Sequence, residues 1–287
     1  IHLLEELEVK PSDATFKYCF FESIICHYND ICDYIKDNLM PISKSETFVR
    51  QSELCMIDSC NYYYYLNDIK QIISLPNNHF GFTFLNLCPS FTCITIPSDV
   101  QHIRYSAFKD CVSLKKVVFP SSIESIGNSS FEGCTSLVDI SFPPSMISIG
   151  NSSFKNCSSL KEISIPPSVT HIANDLFKDC TSLKKIIIPS SIISIGNWSF
   201  EGCSSLIEFS IPSSVTSIGK CAFKDCSSLK QMTIPSSVTS MKNEVFKGCS
   251  RLAKILLSSS LSSIEDSTFE GCYSLGEIII PSSVTSI

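Results

Sequence analysis

The chain has 287 residues, of which 44% are hydrophobic and only 17% are charged, and its 22 basic and 28 acidic side chains give a formal net charge of −6. This composition excludes a disordered chain, and the acidic balance argues against a nucleic-acid-binding protein, which would carry a basic surface. No apolar run reaches the roughly 18 residues that cross a bilayer. No signal peptide is visible in the sequence, so the cellular location stays open between the cell surface and the cytoplasm.

Residues 1–72 form the first predicted region, and they lack the repeat that dominates the rest of the chain. Apolar residues at helical spacing, such as Phe16, Cys19 and Phe20, predict two short helices, the second of which ends before Pro41. The end of a repeat array needs a cover for its exposed strand edge. We therefore expect residues 1–72 to form a small helical N-terminal cap.

From residue 73 to residue 287 the sequence repeats with a period of 23 residues. One clear copy reads IPSSVTSIGKCAFKDCSSLKQMT, from Ile211 to Thr233. The phenylalanine column shows the period most plainly: Phe108, Phe131, Phe154, Phe177, Phe200, Phe223, Phe246 and Phe269. Residues 73–95 keep parts of the pattern in a degraded form. We count about nine repeats, the first degenerate and the last truncated at the C-terminus.

Each repeat combines two periodicities. Leu160, Ile163 and Ile165 have the spacing of a short strand, with both isoleucines on one face. Phe223, Cys226 and Leu229 are three residues apart, as on one face of a short helical or 3₁₀ turn.

The residues that join the strand to the turn predict local caps. The S-x-x-E pattern from Ser129 to Glu132 resembles a capping box, and Asn128 could cap the same turn. A glycine precedes this position in several copies and suggests a left-handed bend there: Gly127, Gly150, Gly196 and Gly219.

A single repeat cannot fold alone. Its seven or so apolar side chains contribute about 10–20 kcal/mol when buried, whereas ordering the backbone costs roughly 1–2 kcal/mol for each of its residues. Stacking buries both flanks of every repeat. We therefore expect the strand segments to join into one parallel sheet on an inner face, with the Phe and Cys turns forming the outer wall.

The repeat resembles a known family. Residues Leu160–Ile165, LKEISI, match the leucine-rich-repeat signature L-x-x-L-x-L, and the wording I-P-S-S-V-T-S-I-G-x-x-x-F-x-x-C-x-S-L is similar to the BspA-like leucine-rich-repeat family of surface antigens. The resemblance covers residues 73–287. It implies an α/β repeat fold, a leucine-rich-repeat solenoid, and a non-enzymatic protein of adhesion or recognition, often at the cell surface.

The sequence has 16 cysteines, and half of them belong to the repeat. These eight follow the phenylalanine column by three residues: Cys111, Cys134, Cys157, Cys180, Cys203, Cys226, Cys249 and Cys272. We interpret them as small buried hydrophobic side chains, with disulfides or a metal site as the alternative. Cys26, His27 and Cys32 fit no zinc-ligand spacing, so we predict no metal site.

The sequence contains no H-E-x-x-H, G-x-S-x-G or P-loop motif. We therefore predict no catalytic residue, no cofactor and no small-molecule substrate, although a Cys–His nucleophile pair is not excluded by sequence alone. Asn128, Asn151, Asn156 and Asn197 stand in glycosylation sequons, which matter only if the protein is secreted.

The residues between the apolar positions of the strand should face solvent on the inner face. One such column is Val118, Ser141, Ser164, Ile187, Ser210, Thr233, Leu256 and Ile279. The other is Lys116, Asp139, Glu162, Lys185, Glu208, Gln231, Lys254 and Glu277. These columns are either an ordinary solvated sheet face or a protein-binding surface with apolar spots among mixed charges.

Our hypothesis from the sequence is a non-catalytic protein-interaction module, acting in cell-surface adhesion or recognition through the solenoid. An intracellular protein-binding scaffold is the first alternative, and an enzyme carried on a repeat scaffold is a distant one. A protein partner is expected, without nucleic acid and without membrane insertion.

Overall fold

The computed structural model describes residues 92–96, 98 and 100–287, which form a β-solenoid of about seven turns, here called coils. Its short strands are β1 (Cys93–Thr95), β2 (His102–Ile103), β3 (Lys116–Val118), β4 (Ser125–Ile126), β5 (Asp139–Ser141), β6 (Ser148–Ile149), β7 (Glu162–Ser164), β8 (His171–Ile172), β9 (Lys185–Ile187), β10 (Ser194–Ile195), β11 (Ser217–Ile218), β12 (Gln231–Thr233), β13 (Ser240–Met241) and β14 (Lys254–Leu256). The predicted helical cap of residues 1–72 and most of the degenerate first repeat lie outside the described residues.

The coils build two parallel sheets, where the sequence predicted one. The expected inner sheet contains the three-residue strands, in which Val117 is in register with Ile140, and Ile163 with Ile186. A second sheet contains the two-residue strands, in which Ile126 is in register with Ile149. The second sheet escaped prediction because two residues are too few to show the alternation that marks a strand.

The inner sheet is interrupted. It consists of three pieces, β1-β3-β5, β7-β9 and β12-β14, while the second sheet divides into β2-β4-β6 and β8-β10-β11-β13. The predicted strand residues 208–210 lie outside any strand of the described chain. Phe209 replaces a smaller aliphatic residue there, and its ring centroid lies 5.0 Å from that of Phe200 and 4.8 Å from that of Phe223.

The outer wall consists of successive turns, and the described residues contain no helix, so the predicted helical or 3₁₀ turns are wrong. The backbone N–H groups of Ser129 and Phe131 donate to the carbonyls of Asn151 and Ser153 in the next coil, both at 2.8 Å. A helix would need these donors for its own carbonyls. Positive φ angles at Ser129 (55°) and Gly133 (76°) break the helical path.

The predicted caps are also wrong, because their side chains bond between coils. The Asn128 Oδ1 atom accepts the backbone N–H of Asn151 at 2.8 Å, and the Asn151 Oδ1 atom accepts that of Asn174 at 3.0 Å. Gly127 has no positive φ, since that conformation falls on Ser129. A Cβ at Gly127 would lie only 2.6 Å from the Tyr105 nitrogen, so glycine there permits close stacking of the coils.

The centre of the solenoid is held by a column of stacked phenylalanine rings. Neighbouring rings from Phe108 to Phe269 have centroids 5.0–5.9 Å apart and interplanar angles of 4–18°. The rings from Phe108 to Phe246 are at most 1% exposed. Burial of an aromatic ring and its offset stacking both stabilise each contact between coils.

The repeat cysteines form a second column beside the rings, and the prediction that they are buried is confirmed. The Cys134 thiol donates to the Phe108 carbonyl of the preceding coil at 3.1 Å, and the same contact recurs through the Cys272 thiol and the Phe246 carbonyl at 3.1 Å. A thiol therefore satisfies a buried carbonyl in little space. Burial raises the pKa of the Cys203 thiol well above its usual value, and that of Cys272 to about 11.

Replacing one ring of the phenylalanine column should strongly destabilise the solenoid. Phe177→Ala leaves a cavity in a fully buried site and should lower the free energy of unfolding by about 3–5 kcal/mol. The matched control, Ile187→Ala, removes an exposed side chain and should change it by less than about 0.5 kcal/mol. Urea unfolding measures both variants, and equal losses would contradict the assignment of the ring to the core.

The buried thiols should make stability fall at alkaline pH. Unfolding returns them to the usual pKa of 9.0, whereas burial keeps Cys203 and Cys226 protonated in the folded state. Below pH 9 both states are protonated, and above it only the unfolded state gains thiolate. Stability should therefore be lost above pH 9, at about 1.4 kcal/mol per thiol for each pH unit.

Urea midpoints measured from pH 7.5 to 10.5 test this dependence. The double variant Cys203→Ala/Cys226→Ala should show a shallower alkaline decline than the parent, because other ionising groups are common to both chains. Identical slopes would show that these thiols do not cause the decline.

Candidate partner-binding face

The structure places the two predicted columns on the exposed side of the inner sheet, called here the inner face. In β7 the side chains of Glu162 and Ser164 are exposed on either side of the buried Ile163, and the other three-residue strands from β3 onward repeat this alternation. Glu208, Ser210 and Ile279 are exposed as well, although they lie outside the strands. The alternation of apolar and polar residues in the sequence therefore predicted correctly which side chains of these strands are exposed.

A third exposed column was missed by the sequence analysis. It consists of the residue that follows the repeat leucine of each coil: Lys115, Val138, Lys161, Lys184, Ile207, Lys230, Ala253 and Gly276. The signal that could have revealed this column is lysine, which occupies the position in four of the coils. With this column the inner face is three residues wide and carries more lysine than the two predicted columns indicated.

Isolated aliphatic side chains stand out on the inner face. Val118 is 37% exposed, Ile187 53% and Leu256 56%, while the neighbouring strands carry serine or threonine at this position. An exposed aliphatic side chain between polar neighbours gives a partner a local apolar contact without creating an aggregating patch.

The charges of the inner face are accessible to a partner. Lys116 pairs with Asp139 across adjacent strands at 2.7 Å, and both side chains are about half exposed. An exposed pair of this kind contributes about 0–1 kcal/mol, so little is lost when a partner replaces one member. At the centre of the face Lys161, Lys184 and Lys185 outnumber Glu162.

The outer wall has a different electrostatic character. Its charged side chains pair along the solenoid, with Lys178 2.7 Å and Lys224 3.6 Å from Glu201, and Lys247 2.8 Å from Glu270. These side chains are mostly less exposed than those of the inner face, so binding a partner there would break contacts between coils. The charged side chains of the outer wall are therefore more engaged in contacts between coils than Lys116 and Asp139 of the inner face.

Metal binding and membrane insertion both lack a candidate site in residues 92–96, 98 and 100–287. No group of three or more His, Cys, Asp or Glu side chains in this part of the chain could hold a metal ion. In the same residues, no helix is long and apolar enough to span a membrane.

Solved structures with similar folds come from several bacteria. A leucine rich cell surface protein from Faecalibacterium prausnitzii is 27% identical, with 68% of this chain and 69% of that chain covered and a TM-score of 0.41. The leucine rich repeat protein of T. pallidum is 28% identical, with coverages of 65% and 79% and a TM-score of 0.45. A leucine-rich repeat protein from Bacteroides ovatus is 23% identical, with coverages of 69% and 73% and a TM-score of 0.42. No curated protein matches the sequence.

The family comparison agrees with the repeat read from the sequence. The BspA type leucine rich repeat region matches residues 78–207 and 170–287, in six copies, and so includes nearly all of the described coils. Proteins built from these repeats generally mediate protein interaction. The chain belongs to the BspA type leucine-rich-repeat family.

Proposed function

We propose that this protein is a non-catalytic interaction module that acts in adhesion or recognition at the cell surface and binds a protein partner through the inner face. The observation that carries the proposal is the inner face itself, where three exposed columns present lysines and isolated aliphatic side chains. The resemblance of the repeat to surface antigens supports the location.

The form of the inner face favours many weak contacts over one deep site. Every coil presents exposed side chains on this face, and neighbouring coils lie about 4.8 Å apart, the spacing of neighbouring strands. A partner with several matching groups would gain affinity through effective concentration, without any single strong contact. Adhesion commonly needs this kind of binding, because it is strong in sum and reversible in each part.

The cell-surface part of the proposal is tested by antibody staining of the source cells. Serum raised against residues 96–287 should stain intact cells, because the solenoid would be exposed outside them. Permeabilised cells serve as the control for total protein. Staining seen only after permeabilisation would contradict the surface location and favour the intracellular scaffold.

The role of the inner face is tested by coating beads with the chain and counting the intact cells that adhere. The triple variant Val118→Glu, Ile187→Glu and Leu256→Glu should reduce adhesion at least about tenfold, because it removes the exposed apolar contacts and adds negative charge.

The matched control for adhesion is Ile147→Glu with Ile193→Glu. These side chains are 56% and 45% exposed beside the second sheet, so they resemble the inner-face residues in exposure but not in position. The control should adhere like the parent chain. Equal loss in both variants would show that the inner face is not the adhesive surface.

A further inference from the structure

The inner face has a longer period than the repeat. Lys116, Lys185 and Lys254 occupy the same column three coils apart, and an aliphatic residue follows two positions later: Val118, Ile187 and Leu256. The intervening coils carry acidic residues or glutamine in the first column, and serine or threonine in the second. Each set of one lysine and one aliphatic side chain, on β3, β9 and β14, is called here a lysine–aliphatic pair.

The outer wall follows the same longer period. Lys109, Lys178 and Lys247 lie three coils apart, and each forms an ion pair with the glutamate of the next coil, Glu132, Glu201 or Glu270, at 3.1, 2.7 and 2.8 Å. The charge pattern of both surfaces therefore repeats every three coils. The outer-wall lysines pair with glutamates along the solenoid, and on the inner face Lys116 pairs with Asp139 while both side chains stay about half exposed.

The geometry of a lysine–aliphatic pair is well defined. Lys185 and Ile187 belong to one strand and point to the same face, because they are separated by the buried Ile186. Residues two apart in a strand are about 7 Å apart, and pairs three strands apart are about 14 Å apart. The Cα atoms of the lysine and the aliphatic residue are thus held at the same separation in every pair.

We propose that the inner face carries three docking sites of the same kind, the lysine–aliphatic pairs, and that each binds an extended, acidic segment of a protein partner. The segment places a carboxylate near the lysine and an aliphatic side chain, two residues away, against Val118, Ile187 or Leu256. The charge of each pair selects an acidic segment, and the spacing of two residues matches one face of an extended chain. This inference rests on the proposed function and specifies the partner of that same face.

The central pair borders an opening in the inner sheet. β5 and β7 are edge strands of separate pieces, and the second sheet divides between β6 and β8 at the same junction. A depression of about 410 Å³ lies there, and its lining includes Phe142, Pro144, Glu162, Lys185 and Ile187. The apolar side chains of this depression extend the contact that Ile187 offers to a bound segment, so this pair binds more tightly than the other two.

The pattern has two departures in its last coils. Ala253 replaces the lysine that precedes the pair at Lys115 and Lys184, which makes the third pair less positive. Ile279 is apolar where the period predicts serine, but it lies beyond β14 and outside the strands of the described chain. The three pairs are therefore ordered in strength, with the pair on β9 first and the pair on β14 last.

The test uses random twelve-residue peptides displayed on phage and selected on the full 287-residue chain. The enriched peptides should carry an acidic residue two positions from an aliphatic one. Calorimetric titration of the best synthetic peptide should give three bound per chain. A tandem peptide with three copies on flexible linkers should bind at least about a hundredfold more tightly than the single copy.

Two exposed-site variants make the test specific. Lys185→Gln with Ile187→Thr converts the central pair into the sequence present on β12, and should lower the stoichiometry from three to two and remove the tightest site. Gln231→Lys with Thr233→Ile introduces a pair on β12, and should raise the stoichiometry from three to four. All four side chains are exposed, so the fold is retained.

Unchanged stoichiometry in both variants would overturn the proposal, as would the selection of basic peptides or of none. Peptide binding that is lost in Ser164→Trp or Ser210→Trp but is unchanged in the pair variants would also overturn it. That last result would leave the inner face as the interaction surface, because binding would still occur there. Failure of the inner face itself would instead appear as equal adhesion by its triple variant and the parent chain.

Discussion

The stacking of one coil on the next is the interaction on which the rest of the structure depends. Each coil places one phenylalanine ring on the ring of its neighbour, with centroids between 5.0 and 5.9 Å apart. Only a constant repeat length keeps these rings in register. The same register brings each thiol to a phenylalanine carbonyl, each asparagine side chain to the next backbone N–H, and each strand to its partner. A change in the length of one coil would disturb all these contacts at once.

The polar groups of the chain are satisfied in the direction of stacking. In the outer turns, alternate backbone N–H groups donate to carbonyls of the following coil, as Ser129 donates to Asn151. They do not close a helix. The buried thiols act as compact donors with raised pKa, so they remain neutral in the core. The exposed side chains of the inner face contribute little to the contacts between coils. Exposed lysines and aliphatic groups can therefore vary there at little cost to the fold.

The sequence predicted the parts of this structure that depend on recurrence. Cys203 was predicted to be buried because it stands in a column of cysteines, and Glu162 and Ser164 were predicted to be exposed because they alternate with apolar residues of the strand. The helical turns were predicted wrongly, because a spacing of three residues fits a chain of turns as well as one helical face. Ser129 adopts a positive φ, which cannot be predicted from a serine at that position. The break between β5 and β7 involves a single junction, so a pattern averaged over repeats could not reveal it.

Because the lysine–aliphatic pairs recur every three coils, their spacing depends on how many coils separate them. Gain or loss of one coil would keep every stacking contact but would bring the lysine–aliphatic pairs out of step with one another. Gain or loss of three coils would preserve both the contacts and the spacing of the pairs. A lineage of such chains could therefore grow by whole three-coil units and add valency without redesigning any site. The number of docking sites would then increase by one with each added unit, while the distance of three strands between neighbouring sites stays the same.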